Sequence, residues 1–261
     1  MSEQTLLQSS MAPDPSPSKP WRSEITEVER NKLKTHGINQ EEIIRDFSYE
    51  EMVFFLLKGH RPTVVERTLL RSVIVSHVSH GITGQSTLAV RMAADTGASF
   101  LHALIAGFSV GAGIYHQGNL EATMKDLAYF TSLREDEVEP LVMQALSEKK
   151  RLMGFGHRFH KDSDPRAETL SKIADELGHV GPHFMRARQI GNILMREKGL
   201  PMNIEAVGGA LLLDIGIDPR VAHLIIVIGR GPMFAAAYLE RLAQNTSPFP
   251  KIVVFDKEEP K

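Results

Sequence analysis

The sequence predicts an all-α protein, and two observations carry that prediction. After residue 21, apolar residues recur at the spacing of amphipathic helices, and capping residues or glycines separate the segments. Strand composition is confined to residues 252–255, which are too few to build a sheet. Hydrophobic residues make up 42% of the 261 residues, so one large core, or two halves that share a cleft, can form.

The predicted elements follow in chain order. Residues 1–20 contain four prolines among serines and are expected to form a flexible arm. Ser23, followed by two acids, predicts a helix over 23–35, because acidic residues favour the first turn of a helix. Two more helices are expected at 40–47 and 49–58, and Pro62 is expected to begin the next one. The remaining helices are predicted at 83–95, 98–115, 119–132, 135–150, 164–178, 182–198, 204–213 and 219–243.

Charge and composition argue against several classes of function. The 30 basic and 32 acidic side chains leave a net charge of −2, so no general attraction to nucleic acid or anionic lipid is expected. The chain has no cysteine, which excludes disulfides, cysteine metal sites and thiol catalysis. The N-terminus lacks a signal-peptide core, and the best apolar run, residues 98–115, is judged too short to span a bilayer. A soluble, cytoplasmic protein with no membrane or nucleic-acid partner is predicted.

The densest cluster of glycines and polar residues is the run 154–161. Two glycines before His157 predict a sharp loop whose backbone N–H groups can face a ligand. Asp164 is expected to cap the next helix, and this would place Arg166 in the first turn, close to the loop. A basic surface loop before a well-capped helix explains the same pattern, so the residues alone leave both interpretations open.

Two further histidines, His80 and His116, stand beside glycines. A lone histidine in such a place is more often a structural residue than a catalyst, so these positions add only modestly to the expectation of a functional site.

Taken in order, these segments resemble the citrate synthase superfamily. Residues 154–166 resemble its Gly-aromatic-Gly-His…Asp-Pro-Arg signature, which is the most specific of the matches. Residues 79–91 resemble its Asp-His segment, residues 115–122 its Leu-His-Gly-Gly-Ala-Asn-Glu-Ala stretch, and residues 229–230 its late arginine. In extent the chain is closer to the stand-alone citryl-CoA lyases, and to the citrate-synthase-like module of ATP-citrate lyase, than to a full citrate synthase.

The resemblance implies an architecture. The fold would be all-α with a large and a small domain, shortened at the N-terminus, and its active sites would form in a homodimer. The large domain would comprise residues 21–119 and 206–261, and the small domain residues 120–205. Glycines in 111–120 and 203–209 suit the points where the chain would cross between them.

The resemblance also implies roles for five side chains. His116 would donate a hydrogen bond to a thioester oxygen and stabilise the enolate, and His157 would exchange a proton with the ketone or hydroxyl oxygen. Arg166 and Arg230 would bind substrate carboxylates, a task that suits a planar bidentate cation. His80 would help to hold the same small carboxylic acid.

Coenzyme A would enter as part of the substrate, with no bound cofactor and no metal expected. Gly154, Phe155 and Gly156 would offer backbone groups to the CoA adenine, and Lys161 would meet a CoA phosphate.

The chain departs from the family pattern at four positions. Glu205 stands in place of the catalytic aspartate, and its extra methylene moves the carboxylate by roughly 1.3 Å, a displacement that can cost about a hundredfold in rate unless the backbone compensates or the substrate differs. A structural role as a helix N-terminal acid is the alternative for Glu205. No arginine occupies the family's C-terminal position, where Lys251 is a poor substitute, so a substrate with fewer acid groups is allowed. Gln117 and Leu120 break the family's Gly and Asn pattern.

Three patterns in the sequence allow other functions. Residues 107–111 fit the Gly-x-Ser-x-Gly pattern of serine hydrolases, but no strand precedes them, so the glycines are interpreted as helix packing. His77 with His80, and His157 with His160, have a spacing that could ligate zinc or iron, although no carboxylate follows at metal-site spacing. A non-catalytic relative that binds CoA thioesters, or only dimerises, is a third alternative.

The favoured function is a carbon–carbon lyase that cleaves (3S)-citryl-CoA to acetyl-CoA and oxaloacetate. In this prediction His157 takes up the hydroxyl proton, His116 stabilises the departing enolate, and Glu205 protonates the acetyl carbon. Condensation of acetyl-CoA with a different keto acid is the alternative reaction, and the residues do not indicate which direction is physiological.

Overall fold

The computed structural model describes residues 22–244, and within this range the fold is mostly helical. Eleven α-helices follow a small three-stranded sheet in the described chain, so the all-α prediction is confirmed. The predicted flexible arm and the strand-like residues 252–255 lie outside the described residues. Two compact units divide at Arg61 and Pro62. The large and small domains expected from the family stay a prediction.

The N-terminal unit begins with strands, so the helix predicted over 23–35 is wrong. Strands β1 (Thr26–Glu29) and β2 (Lys32–Thr35) form an antiparallel hairpin, and β3 (Ile38–Asn39) pairs with β2. The acids interpreted as a first helical turn are instead opposite lysines, Glu27 across from Lys34 and Glu29 across from Lys32. Opposite charges in directly facing positions stabilise a strand pair. Asn31, with φ +61°, makes the turn.

Two helices complete this unit where the sequence predicts them, α1 (Gln40–Asp46) and α2 (Tyr49–Lys58). Ser48 accepts from the N–H of Glu51, whose carboxylate accepts in return from Ser48, a reciprocal capping box. Gly59 ends α2 in the left-handed region with φ +76°, a conformation that glycine adopts without steric cost. The α2 side chains of Phe54 and Phe55 are buried.

The C-terminal unit contains the other nine helices of the described chain. Helix α3 begins after a Thr63 cap rather than at Pro62, and α6 and α9 have the predicted bounds. The nine helices are α3 (Val64–Ser76), α4 (Gln85–Asp95), α5 (Phe100–Gly111), α6 (Asn119–Ser132), α7 (Glu135–Ser147), α8 (Pro165–Glu176), α9 (Pro182–Lys198), α10 (Ile204–Asp214) and α11 (Ala222–Ala243).

Helix α10 lies at the centre of this unit and contacts α3, α6, α8 and α9. Every residue from Ala206 to Leu212 is buried, which is the pattern of a helix apolar on all sides. Glu205 is the exception near its N-terminus and is only half-buried. The packing of α10 therefore holds one carboxylate at a defined place among the surrounding helices.

The Gly-x-Ser-x-Gly run lies inside helix α5, so its interpretation as helix packing is confirmed. A Cβ on Gly107 would lie 2.6 Å from Val90 and 2.8 Å from Phe234, closer than packed atoms approach. Gly107 thus allows α5 to contact both α4 and α11.

Helix α11 corrects the expectation that no apolar run is long enough to span a bilayer. Residues Pro219–Ala243 have a mean hydropathy of 1.5 and pass that test by length and composition. In the structure α11 contacts α3, α4, α5 and α6, and it carries a buried arginine, Arg230.

Candidate active site

One cavity of about 230 Å³ brings together the side chains that the sequence analysis selected for catalysis and acid binding. They come from the segment after α3, the segment before α6, the loop before α8, and helices α8, α10 and α11. We call this space the central cavity, and its predicted lining residues are His80, His116, His157, Arg166, Glu205 and Arg230.

Backbone hydrogen bonds join the glycine loop to the start of α10. The Asn203 N–H donates to the Gly154 carbonyl at 3.0 Å, and its side-chain amide donates to the Gly156 carbonyl at 2.9 Å. The Asn203 side-chain oxygen also accepts from the N–H of Glu205 at 3.0 Å, which caps α10. One asparagine therefore holds the loop of His157 and the first turn with Glu205 in a fixed relation.

The protonation of His157 is set by its own loop. Its Nδ1 accepts from the N–H groups of Phe159 at 3.1 Å and His160 at 3.0 Å, so the neutral ring carries its proton on Nε2. The His160 ring stacks on it at 4.5 Å, and the His80 ring meets it edge-on at 5.6 Å. Burial, and then the charge of His160, lower the pKa of His157.

His80 and His116, which also line the central cavity, are neutral near pH 7. Burial, followed by the charges of Arg166 and Arg230, lowers the pKa of His80 to about 4. Burial and Arg230 likewise lower the pKa of His116 to about 4. The Nε2 of His116 is hydrogen-bonded to the hydroxyl of Ser86 at 2.8 Å.

Arg166 is held by a buried carboxylate. Its Nε and Nη2 donate to the two oxygens of Asp164 at 3.0 and 2.8 Å, and Asp164 also accepts from the N–H of Ile204 at 3.2 Å. Burial alone would raise the pKa of Asp164, but the hydrogen bonds from Arg166 outweigh it and the pKa is lowered. The ion pair fixes the guanidinium at the cavity wall and joins α8 to α10.

Arg230 is the opposite case, a buried cation without a partner. The residue is 4% exposed, and its Nε and Nη1 have no hydrogen-bond partner among residues 22–244. Burial, and then Arg166, lower the pKa of Arg230 to about 10. Because an unpaired buried charge is costly, this arrangement favours an anionic ligand in the central cavity.

Glu205 combines the two interpretations offered by the sequence. It lies in the first turn of α10, as a helix N-terminal acid would, and it also lines the central cavity. Burial raises its pKa, against the lowering effects of its own backbone N–H and of Arg166.

A second cavity of about 460 Å³ shares His157 and Gly156 with the first. Phe155 and Lys161 line it, together with apolar side chains of α7 and α9. Gly154 lines neither of these two cavities. Its φ is +86°, and a Cβ there would lie 2.7 Å from a methyl of Thr123, so this glycine permits close packing.

Sequence reasoning missed Ser86, which is fully buried and holds His116. The available signal was a pair of small polar residues, Ser86 and Thr87, inside an amphipathic helix. Lys251, the weak substitute for the family's C-terminal arginine, lies outside the described residues. For the metal alternative, residues 22–244 contain no group of three or more His, Asp or Glu side chains arranged to hold an ion.

The chain is similar to curated citrate synthases. Citrate synthase 2 of Bacillus subtilis (strain 168) is 27% identical over 213 residues, which are 80% of this chain and 56% of the relative. The citrate/2-methylcitrate synthase of the same strain is 29% identical over 217 residues, 80% of this chain and 57% of the relative. The chain spans little more than half the length of these relatives.

Solved structures give the same result for the fold. The citryl-CoA lyase from Hydrogenobacter thermophilus superposes with a TM-score of 0.82 at 29% identity, covering 92% of this chain and 96% of that one. ATP citrate lyase from Methanothrix soehngenii, in complex with citrate and coenzyme A, has a TM-score of 0.78 at 16% identity, covering 100% of this chain and 46% of that one, and shows the fold alone. Residues 62–252 match the family described as citrate synthase, C-terminal domain. The chain therefore belongs to the citrate synthase family.

Proposed function

We propose that the protein cleaves (3S)-citryl-CoA to acetyl-CoA and oxaloacetate. One observation carries this proposal: two neutral histidines and a carboxylate of raised pKa line the same cavity as Arg230, whose buried Nε and Nη1 have no hydrogen-bond partner among residues 22–244. The citryl-CoA lyase from Hydrogenobacter thermophilus, which matches this chain over 96% of its own length, supports the choice of reaction.

The proposed chemistry needs no net change in charge of the substrate. Breaking the carbon–carbon bond leaves an enolate on the thioester, which a hydrogen bond from neutral His116 stabilises. Glu205 then delivers a proton to the acetyl carbon, and burial, which raises its pKa, favours the protonated form that this step needs. The unpartnered guanidinium of Arg230 binds a substrate carboxylate.

The role proposed for His157 differs from the sequence prediction. Its neutral ring has one lone pair, on Nδ1, and two backbone N–H groups already occupy it. Neutral His157 therefore serves as a donor, through Nε2, to the oxygen that changes between hydroxyl and ketone. In cleavage the hydroxyl proton leaves to solvent water, and solvent restores the proton that Glu205 gives to the acetyl carbon, so the protons balance. In the condensation direction the same Nε2–H polarises the ketone oxygen and the proton transfers run in reverse.

The second cavity suits the nucleotide end of coenzyme A. Its apolar wall includes Phe155, while Lys161 and two arginines shared with the central cavity, Arg151 and Arg158, supply positive charge. An adenine ring requires apolar contact and CoA phosphates require cations, so this composition supports the predicted role of the 154–161 loop.

We also propose that the protein acts as a homodimer. Leu101 and Ile105, one turn apart on α5, are 62% and 53% exposed, and Met92 on the adjoining α4 is 59% exposed. Apolar side chains grouped on packed helices favour burial against a second copy. In sedimentation velocity the wild-type protein should sediment as a dimer and Ile105→Glu as a monomer. A wild-type protein that sediments as a monomer would contradict the proposal.

The test of the reaction is direct. Purified protein is incubated with synthetic (3S)-citryl-CoA, and oxaloacetate is followed by coupled reduction with NADH while acetyl-CoA is measured by chromatography. Glu205→Gln should lose activity, whereas Glu168→Gln, an exposed acid in the first turn of α8, should retain it. Binding of CoA with no turnover of any thioester would support a non-catalytic relative instead.

Condensation with a different keto acid is the second candidate, favoured by the Nε2–H form of His157. It is tested by CoA release from acetyl-CoA across a panel of keto acids that differ in their number of carboxylates.

A further inference from the structure

The side chain at position 117, where the chain departs from the family pattern, is buried beside the catalytic histidine His116. Gln117 is 6% exposed, and its N–H donates to the Gly111 carbonyl at 3.0 Å. Its side-chain oxygen lies 2.6 Å from where a Cβ on Gly111 would be, so the Gln117 amide occupies space that any larger residue at position 111 would fill. Such close packing restricts the amide to few orientations.

A short series of polar contacts leads from this amide to the catalytic ring. The Gln117 Nε2 donates to the Ser86 hydroxyl at 3.5 Å, and that hydroxyl lies 2.8 Å from Nε2 of His116. Ser86 itself is fully buried. Buried polar groups of this kind are strongly coupled, because neither can exchange its partner for water without cost.

The chemistry of the three groups gives the series a direction. A hydroxyl alone can either donate to or accept from an imidazole nitrogen, so Ser86 by itself leaves both neutral forms of His116 available. An amide nitrogen can only donate, and a hydroxyl that accepts one hydrogen bond becomes a better donor. With Gln117 donating to Ser86, the hydroxyl proton is directed to Nε2 of His116, and the ring keeps its own proton on Nδ1.

We propose that Gln117 is a positioning residue that acts through Ser86 to hold His116, which lines the central cavity, in the Nδ1–H form, so that the ring nitrogen not bonded to Ser86 is a hydrogen-bond donor. The consequence for catalysis rests on the proposed function, since a donor is needed only if a thioester oxygen meets this nitrogen. The protonation pattern of His116 does not depend on which substrate the protein uses.

The first measurement uses the wild-type protein. Histidine labelled with nitrogen-15 is incorporated, the His116 signals are assigned by their loss in His116→Gln, and nitrogen shifts at pH 7.5 report which ring nitrogen carries the proton. We expect the Nδ1–H form alone. Detection of the Nε2–H form, or of an even mixture, would overturn the proposal without any variant at position 117.

The second measurement compares variants. Gln117→Leu keeps the volume but removes the donor, so His116 should become a mixture of both forms and kcat on (3S)-citryl-CoA should fall about tenfold with KM little changed. Gln144→Leu, the same substitution on the exposed face of α7, is the matched control and should change neither. A Gln117→Leu protein that is folded by circular dichroism and retains both the pure Nδ1–H form and full kcat would also overturn the proposal. If Gln117→Leu mixes the two forms of His116 but the wild-type protein does not cleave citryl-CoA, the proposed function fails and this inference stands.

Discussion

Replacing Asp164 by Asn should destabilise the protein much more than the same change at Asp218, although both stand in an Asp-Pro-Arg tripeptide. In each, the aspartate caps a helical turn and binds the following arginine through two nitrogens. The two sites differ in burial, because the side chain of Asp164 is 0% exposed and that of Asp218 is 44% exposed. Asp164 has a further partner in the N–H of Ile204.

The magnitude follows from the donors around Asp164. Each carboxylate oxygen of Asp164 accepts two hydrogen bonds. In Asp164→Asn the side-chain NH₂ group replaces one of these oxygens, and because NH₂ can only donate, two hydrogen bonds are lost whichever oxygen it replaces. A hydrogen bond to a charged acceptor contributes about 1.5–3 kcal/mol, so losing two costs at least about 3 kcal/mol. Breaking a buried ion pair by removing one partner costs about 3–5 kcal/mol, which agrees with this figure. The guanidinium of Arg166 is 20% exposed and can partly rehydrate, which places the expected loss near 3 kcal/mol. At Asp218 water replaces the lost bonds.

The assay is urea unfolding at pH 7 followed by circular dichroism, with free energies compared at an unchanged m-value. Asp164→Asn should lower the midpoint clearly, and Asp218→Asn should barely move it. Equal shifts in the two variants, or a loss below about 1 kcal/mol at Asp164, would refute the reasoning that burial decides the value of this motif.

Three other changes have defined outcomes. Glu205→Gln should reduce turnover by about 10²–10⁴-fold, and an unaltered rate in the variant would remove Glu205 from the mechanism. Because burial raises the pKa of Glu205, wild-type cleavage should slow as pH rises through the pKa of this carboxyl. His77 has a pKa lowered by burial to about 4 from 6.5, so its neutral form stabilises the fold above pH 6.5 and about 3 kcal/mol is lost as pH falls from there towards 4; His77→Gln should show a smaller difference in unfolding free energy between pH 7 and pH 4.5. Gly107→Ala should cost about 1–3 kcal/mol, measured by thermal and urea unfolding, because the new methyl would meet Phe234 at 2.8 Å, whereas Gly113→Ala, with a 3.5 Å contact, should be tolerated far better.

Local signals in the sequence predicted much of the helical framework. Helices α6 and α9 have the expected bounds because their caps and following breakers are local, as with Gly199 in the left-handed region after α9. The hairpin at 26–35 was missed because its stabilising pairs, such as Glu27 with Lys34, lie opposite one another only when the strands form. In a list of residues the same acids look like the first turn of a helix.

The candidate site was predicted from a family resemblance, and its electrostatics came from the structure. Burial of Arg230 without a hydrogen-bond partner, the contact of Asp164 with Ile204, and the Ser86 contact of His116 all depend on segments far apart in the chain. No spacing rule reports these contacts, because each one is created by the packing of distant segments.

By itself the sequence determined which segments after residue 39 become helices in the described chain, which residue types are available for acid–base chemistry and anion binding, and that cysteine chemistry is absent. Only the tertiary structure decided which nitrogen of His157 carries the proton, which buried arginine lacks hydrogen-bond partners, and in which direction the pKa of Glu205 is displaced. The physical reason is that helix caps and periodicity act over a few residues, whereas desolvation and hydrogen-bond partners are properties of the packed interior.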